Sequence, residues 1–134
     1  KAMPQFVFQK IVGALNDVGK SVKGAKVMVL GISYKKNVGD MRESPSVAIM
    51  ELLRAQGAEL SYVDQHVPVF PPMRGHTFNM VAEDLTPETL ALQDAVIIAT
   101  NHDYFDYDLI KENARLIIDA RGVYREPADH IVRA

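Results

Sequence analysis

Residues 26–45 (KVMVLGISYKKNVGDMRESP) constrain the fold of this chain more than any other stretch. The stretch begins with a short apolar run, VMVL, which stops at a glycine, and such a run is typical of a buried strand in a parallel sheet. Ser44 and Pro45 predict a helix start, because serine can cap free backbone N–H groups and proline needs no N–H at the first helical position. A polar loop, residues 33–43, therefore follows a strand at the edge where doubly wound sheets bind ligands.

The rest of the chain repeats this alternation of strand and helix patterns, which predicts a Rossmann-like α/β fold. We expect a doubly wound, mostly parallel sheet of about five strands, with helices on both faces. Strands are predicted at residues 26–30, 59–63, 78–81, 95–99 and 116–118. Helices are predicted at residues 4–18, 44–56, 86–92 and 106–112. The tail from Glu126 is expected to form a last short helix or a frayed end.

The first predicted helix carries an apolar stripe at Val7, Ile11, Leu15 and Val18, which recur at helical spacings. The stripe is compatible with two arrangements. The helix can pack on the sheet of its own domain, or it can be the tail of a helix from a preceding domain. The chain begins with Lys1 rather than methionine, and we interpret it as a piece of a longer protein.

Length and composition indicate one globular domain and argue against several functions. A chain of 134 residues has the size of a single domain, and 48% of its residues are hydrophobic. The net charge of −2 favours neither nucleic acid nor an anionic membrane as a partner. No apolar run reaches the roughly 20 residues that cross a bilayer. The sequence has no cysteine, which excludes a cysteine nucleophile and thiolate metal sites within it. No secretory signal is visible, so a cytoplasmic location is the default expectation.

Polar clusters follow three of the predicted strands, and parallel strands would bring them to one edge of the sheet. The clusters are the loop that carries Lys35 and Arg42, the segment 100–103 (TNHD), and Asp119 with Arg121. The basic side chains can bind phosphate, but their charges can equally pair with acidic neighbours. Asp119 and Arg121 form either a structural ion pair or part of a ligand site, and the sequence leaves both open.

The sequence lacks the signals of a self-contained cofactor, metal or hydrolase site. The dinucleotide fingerprint has three glycines after the first strand, and only Gly31 fits. Asp64 follows Gly31 by 33 residues, whereas a ribose-binding acid is expected after about 20, so we interpret it as a strand-end residue. The 4 histidines have no metal-ligand spacing, and no nucleophile elbow is present. His102 is expected to be a capping or solvent-facing residue.

A family resemblance is carried by three stretches, VLGISYKKNVGDMRESPSVAIMELLRAQGAELSYVDQHVP, ATNHDYFDY and IIDARG. They are similar to the C-terminal, UDP-binding domain of the UDP-glucose/GDP-mannose dehydrogenase family, whose loop reads Y/F-K-x-x-x-x-D-x-R-E-S-P. The loop together with HDYFDY is most similar to the branch that acts on UDP-N-acetylhexosamines. The preceding MPQFVFQKIVGALN resembles the segment that leads out of the family's central domain. The resemblance thus covers nearly the whole chain.

The resemblance implies an enzyme that oxidises C6 of the sugar in a UDP-sugar to a carboxylate, with NAD as the oxidant, in polysaccharide biosynthesis. By position in the motifs, it implies that Tyr34, Lys35 and Arg121 bind the UDP-sugar. It also implies that Arg42 reaches NAD from this domain. No catalytic residue and no metal ligand is expected within the chain.

The resemblance further implies how the chain relates to a whole enzyme. Residues 1–22 are expected to lead in from a missing central dimerisation domain, and residues 23–134 to form the UDP-sugar-binding domain of a homo-oligomer. The family's glycine-rich NAD domain and its catalytic cysteine, lysine and asparagine lie outside these residues, so the fragment is expected to be inactive alone. Two departures, Gln65 in place of a proline and Asn37 in place of an acid, touch no matched binding position. The alternative is a non-catalytic, Rossmann-like binding or interaction domain.

Overall fold

The computed structural model of the protein describes residues 2–33, 35–37, 39, 44–73 and 78–134. These residues form a sheet of five parallel strands between two layers of helices, which confirms the predicted Rossmann-like, doubly wound fold. The strands are β1 (Lys26–Leu30), β2 (Glu59–Val63), β3 (Ala95–Ile98), β4 (Ile117–Asp119) and β5 (Ile131–Arg133). The helices are α1 (Ala2–Asp17), α2 (Pro45–Ala55), α3 (Pro87–Ala91) and α4 (Tyr107–Asn113). The strand order is β2-β1-β3-β4-β5, so the order of the strands reverses between β1 and β3.

Successive side chains of the central strands point to opposite faces of the sheet and enter two separate cores. On one face, Val29 and Ile97 pack in the cluster that α1 and α2 cover. On the other face, Leu30 and Ile98 pack with α3 and α4. All four side chains are fully buried, which stabilises the fold by about 1.5–3 kcal/mol for each. Strands that are buried on both faces explain the continuous apolar runs in the sequence.

Helix α1 packs on the sheet of this domain through most of its predicted stripe. Val7, Ile11 and Leu15 are buried in the same core as α2 and β1, whereas Val18, the last predicted member, is 58% exposed just beyond the helix.

Among the residues that the structure describes, no helix has both the length and the apolar character needed to span a bilayer.

Two predicted elements are wrong. The tail from Glu126 forms neither a helix nor a frayed end, because residues 131–133 pair in parallel with β4 as the fifth strand, β5. This edge strand is three residues long and partly exposed, so it lacks the apolar run that marks a buried strand. Residues 78–81 do not form a regular strand in the part that is described and make a single antiparallel bridge, between Val69 and Val81.

The start of α2 agrees with the prediction except in how Ser44 is used. The backbone of Ser44 occupies the N-cap position and Pro45 is the first helical residue. The Ser44 hydroxyl makes no cap hydrogen bond and instead donates to the Ile32 carbonyl at 2.6 Å, while the Ser46 hydroxyl donates to the Gly31 carbonyl at 3.1 Å. Buried carbonyls just past a strand need donors that the sheet does not supply. Both hydroxyls therefore tie the start of α2 to the end of β1.

Strands β1 and β3 approach each other closely just past their carboxyl ends. Gly31 has a φ of +84°, in the left-handed region that favours glycine. A Cβ atom at Gly31 would lie 2.4 Å from the Cβ and 2.7 Å from the carbonyl oxygen of Thr100. The Thr100 hydroxyl donates to the Ser33 carbonyl at 2.7 Å. Glycine is therefore required here for the two loops to leave the sheet side by side.

Candidate functional site

The loops that follow the parallel strands meet at the carboxyl edge of the sheet. The reversal of strand order places a switch point between β1 and β3, and the crevice at such a point is where open α/β sheets bind ligands. The loop after β1, residues 31–44, is called the β1 loop below. Segment 100–103 follows β3, which lies between β1 and β4 in the sheet, and Arg121 follows β4. The three polar clusters identified in the sequence thus share one edge.

Asp64, just after β2, supports this edge from the interior. Its fully buried carboxylate accepts hydrogen bonds at Oδ2 from the backbone N–H groups of Ile32 (2.9 Å) and Ser33 (3.2 Å), and at Oδ1 from that of His66 (3.0 Å). Nε2 of His102 lies 2.9 Å from Oδ2. Burial alone would raise the pKa of Asp64, but the hydrogen bonds from His102 and Ile32 outweigh burial and lower the pKa below its ordinary value. An ionised carboxylate therefore fixes the first residues of the β1 loop.

His102 is fully buried, so the prediction that it is a capping or solvent-facing residue is wrong. Its Nδ1 accepts the backbone N–H of Asn37 at 2.6 Å and therefore carries no hydrogen. The hydrogen of the neutral ring is then on Nε2, 2.9 Å from Asp64 Oδ2 and 3.1 Å from Ser33 Oγ. Ser33 in turn donates its hydroxyl hydrogen to the Lys35 carbonyl at 3.1 Å. One tautomer of His102 thus satisfies every partner.

Ser33, His102 and Asp64 are the residue types of a hydrolase triad, but their geometry does not support one. In a triad the nucleophile and the acid contact different ring nitrogens, so that the acid orients the ring while the other nitrogen takes a proton. Here the Ser33 hydroxyl and the Asp64 carboxylate both contact Nε2. The three residues are also at most 1% exposed. The cluster therefore supports the loops and offers no nucleophile to a ligand.

Asn37 joins the β1 loop to the loop after β3. It has a φ of +63°, a left-handed conformation that asparagine tolerates better than most residues. Its side-chain amide donates to Asp103 Oδ2 at 2.8 Å and its Oδ1 accepts the Asp103 backbone N–H at 3.0 Å. Lys36 Nζ lies 3.5 Å from Asp103 Oδ1, an exposed pair that contributes little to stability.

Asp119 and Arg121 do not form an ion pair. The buried Asp119 carboxylate accepts at Oδ1 from the backbone N–H groups of Arg121 (3.1 Å), Gly122 (2.8 Å) and Val123 (3.2 Å), and at Oδ2 from that of Tyr124 (3.0 Å). Backbone donors thus satisfy the carboxylate. Arg121 is exposed, and no carboxylate of a described residue lies within salt-bridge distance of its guanidinium. Of the two roles that the sequence left open, the structural pair is not formed.

Two of the four sequence-predicted ligand residues, Lys35 and Arg121, belong to the described part of the chain, and both are exposed. The other two, Tyr34 and Arg42, lie outside the described residues. Asn101 is partly exposed just after β3, and like Lys35 and Arg121 its side chain has no hydrogen-bond partner among the described residues. Polar side chains that are free to contact a ligand within this part of the chain therefore follow β1, β3 and β4.

Two tyrosine hydroxyls extend the hydrogen bonding from the β3 side of the site to the β4 side. Tyr107 donates to the His102 carbonyl at 2.7 Å, and Tyr124 donates to the Tyr107 carbonyl at 2.6 Å. Burial raises the pKa of Tyr107 to about 12, so its hydroxyl remains a neutral donor near neutral pH. The Tyr124 backbone N–H binds Asp119, so one network connects the loops that carry Lys35 and Arg121.

The described residues contain neither a cluster of metal-ligating side chains nor the glycine-rich turn of a dinucleotide site. They contain no group of three or more histidine, aspartate or glutamate side chains placed to hold a metal. At Gly31 the space that a Cβ would take is filled by Thr100, so this glycine accommodates the neighbouring loop, and the further glycines of the dinucleotide fingerprint are absent from the sequence.

The sequence analysis missed the supporting roles of His102 and Asn37. The available signal was positional: His102 follows β3 and Asp64 follows β2, and both strands are parallel to β1, which lies between them, so the two side chains come to the same edge of the sheet. The burial of His102 accompanies long-range contacts with Asp64, Ser33 and Asn37, which periodicity does not encode.

Together, the fold and this edge define a doubly wound α/β domain with exposed cationic side chains at the carboxyl edge of its sheet, where such sheets bind ligands. The sequence profile of the UDP-glucose/GDP-mannose dehydrogenase family, UDP binding domain, matches residues 28–126. The chain therefore belongs to this family, as its motifs indicate.

Curated and solved relatives agree with the family assignment. The chain is 30% identical over 128 residues to a UDP-glucose 6-dehydrogenase of Rhizobium meliloti, which covers 88% of this chain and 27% of that protein. It is 31% identical over 129 residues to a UDP-N-acetyl-D-mannosamine dehydrogenase of Methanococcus maripaludis, covering 90% of this chain and 28% of that protein. A crystal structure of an NDP-N-acetyl-D-galactosaminuronic acid dehydrogenase from Methanosarcina mazei is similar with a TM-score of 0.78 and 26% identity, over 99% of this chain and 29% of that one. The chain thus spans less than a third of the length of these relatives.

Proposed function

We propose that this chain binds a UDP-sugar and serves as the nucleotide-sugar-binding domain of an NAD-dependent dehydrogenase that oxidises the sugar C6 to a carboxylate. The observation that carries the proposal is that Lys35 and Arg121 are both exposed at the carboxyl edge and have no carboxylate partner among the described residues. Such cationic groups match the negative charge of a diphosphate. Strand β3 separates β1 from β4, so two strand spacings, about 10 Å, lie between the strand ends that carry them.

Each proposed contact has a distinct chemical role. Arg121 offers a planar fork that can bind two phosphate oxygens at once, whereas Lys35 offers a compact point charge. Asn101, between them, can donate or accept a hydrogen bond to the sugar or the diphosphate. Tyr34 is proposed to contact the nucleotide sugar because of its position in the family motif.

NAD dependence is part of this proposal and rests on the family resemblance. Because the described residues form no dinucleotide cradle, NAD would bind mainly to a domain outside these 134 residues, with Arg42 reaching it from this one. The sequence contains no cysteine, so the covalent chemistry of the family cannot take place on this chain, and the chain alone is expected to be inactive. Homo-oligomeric assembly and a cytoplasmic location remain predictions.

The sugar is proposed to be an N-acetylhexosamine. The motif TNHDYFDY supports this choice, as do relatives named as UDP-N-acetyl-D-mannosamine dehydrogenases. The similar identity to a UDP-glucose 6-dehydrogenase makes UDP-glucose the competing substrate. Comparing the binding of UDP-glucose and UDP-N-acetylglucosamine to the same sample separates the two, and tighter binding of UDP-glucose would contradict the choice.

Calorimetry of UDP binding to this chain tests the proposal, with one variant at the site and one matched control. Arg121→Ala removes a charged contact to the ligand and should weaken binding by about 5- to 150-fold. Arg115→Ala removes the same charge just before β4, at the opposite edge of the sheet, where the guanidinium is 62% exposed and 4.0 Å from Asp94. It should leave UDP affinity unchanged. Equal effects of the two variants would reject the site, and no UDP binding by the wild type would favour the non-catalytic binding or interaction domain.

A further inference from the structure

We propose that His102 is a positioning residue: its buried imidazole holds the β1 loop so that Lys35 is presented to the UDP-sugar. This inference rests on the proposed function and deepens it. His102 is fully buried and would not contact the ligand, so its effect would be exerted through Lys35.

The imidazole is tied to the backbone of the β1 loop on both sides of Lys35. On the side of Nδ1, the Asn37 backbone N–H donates to the ring at 2.6 Å, two residues after Lys35. On the side of Nε2, the ring contacts the Ser33 hydroxyl at 3.1 Å, which in turn donates to the Lys35 carbonyl at 3.1 Å. The exposed lysine is therefore carried on a short segment whose two ends are fixed to one buried ring.

The ring can hold the loop because it is itself held. The Asp64 carboxylate lies 2.9 Å from Nε2 and also accepts two backbone N–H groups at the start of the β1 loop. The rings of Tyr104 and Phe105 pack against the imidazole with centroids 5.6 Å and 5.5 Å away. The Tyr107 hydroxyl donates to the His102 carbonyl at 2.7 Å. These contacts fix both the rotation of the ring and its tautomer.

A fixed loop matters for binding because ordering a long side chain and its segment on contact with a ligand opposes association. Lys35 is exposed and has no ion-pair partner among the described residues, so no ion pair within this part of the chain orders its side chain. The backbone ties through Ser33 and Asn37 limit its freedom before the ligand arrives. Removing them should therefore weaken UDP binding without removing any group that touches UDP.

Two conservative substitutions separate the two sides of the ring. In His102→Asn the side-chain oxygen can occupy the place of Nδ1 and still accept the Asn37 N–H, but the contact to Asp64 is lost. In His102→Gln the amide can occupy the place of Nε2 and still donate to Asp64, but the acceptor for Asn37 is lost. We expect His102→Gln to weaken UDP binding by about 3- to 10-fold. We expect His102→Asn to lower the thermal midpoint more than His102→Gln does, because it removes the contact to the buried Asp64 carboxylate. Affinity that simply follows the thermal midpoint in both variants would make His102 structural and overturn the proposal.

A double-mutant cycle tests whether His102 acts through Lys35. If it does, His102→Gln should add no further loss of UDP affinity in a chain that already carries Lys35→Ala. Additive losses in the double variant would overturn the proposal even if each single variant binds weakly. Lys23→Ala is the matched background, because Lys23 is exposed near the opposite edge, and there His102→Gln should keep its full effect.

Amide hydrogen exchange at Asn37 provides a readout that needs no ligand. Protection of this amide should persist in the wild type and in His102→Asn and should be lost in His102→Gln. If the wild type fails to bind UDP, the proposed function fails, and this exchange pattern alone then decides whether His102 holds the loop. Equal protection in all three proteins would show that it does not.

Discussion

Substituting Asp119 by asparagine tests whether this carboxylate organises the loop that carries Arg121. Its Oδ1 accepts three backbone N–H groups and its Oδ2 accepts a fourth, from Tyr124 at 3.0 Å. An asparagine can place its oxygen at the three-donor position, but its NH₂ group then faces the Tyr124 N–H, donor against donor. The substitution also replaces three charge-assisted hydrogen bonds by neutral ones.

The expected loss of stability follows from these contacts. Leaving one buried donor without an acceptor costs about 1–3 kcal/mol, and the weaker remaining bonds add to this, while removal of a buried charge offsets part of it. We therefore expect Asp119→Asn to lower the free energy of unfolding by about 2–4 kcal/mol. For a domain of this size the thermal midpoint should fall by roughly 6–20 °C.

The assay is urea unfolding followed by circular dichroism, with Arg121→Ala as the matched comparison in the same loop. Because Arg121 is exposed and its side chain does not pair with Asp119, Arg121→Ala should change the free energy of unfolding by no more than about 0.5 kcal/mol. If the free energy of unfolding of Asp119→Asn differed from that of the wild type by no more than this amount, the contacts of the carboxylate with the backbone would not organise the loop. If Arg121→Ala instead cost as much as Asp119→Asn, an ion pair between the two residues would be the correct account.

Three further predictions concern the turn after β1, the buried acid and activity. Gly31→Ala should destabilise the fold by about 2–5 kcal/mol in urea unfolding, because of the positive φ of this residue and its contact with Thr100. The control Gly13→Ala lies within α1 and has no atom within 4 Å of the new Cβ, so it should be neutral or stabilising. Equal effects of the two substitutions would refute the close approach of the two loops. The folded state lowers the pKa of Asp64 below 3.8, so the stabilisation from this carboxylate is present above that pH and is lost as pH falls through the folded-state pKa. Asp64→Asn should therefore reduce the difference between the free energies of unfolding at about pH 6 and at about pH 3. An unchanged difference would contradict this role of Asp64. The chain with UDP-glucose and NAD should produce no NADH absorbance, and a steady increase would contradict its expected inactivity.

Much of the fold could be predicted because its central strands are buried on both faces. β1 was predicted with its observed ends and β3 to within one residue, because apolar runs bounded by polar or glycine residues mark such strands. The edge strand β2, whose first residues are partly exposed, was also predicted with its observed ends. β5 was missed because a three-residue edge strand gains its order from pairing with β4 and has no distinctive sequence pattern. Conversely, the pattern at residues 78–81 looks like a strand, but it meets only one antiparallel partner among the described residues.

The convergence of the polar clusters at the candidate site could be predicted, but the contacts that support them from the interior could not. Parallel topology alone brings the ends of β1, β3 and β4 to one edge, so the clusters with Lys35 and Arg121 were found from spacing. Whether Arg121 pairs with Asp119 depends on the turn after β4, which gives the carboxylate four backbone donors instead. The burial of His102 likewise depends on long-range contacts with Asp64 and Asn37.

The central claim, that this domain recognises the UDP portion of a nucleotide sugar, is tested most directly by calorimetric titration of the chain with UDP and with NAD in the same buffer. The account predicts that UDP binds with measurable heat and more tightly than NAD, because the carboxyl edge offers cationic contacts at Lys35 and Arg121 but no dinucleotide cradle at Gly31. Binding of NAD without binding of UDP would contradict it.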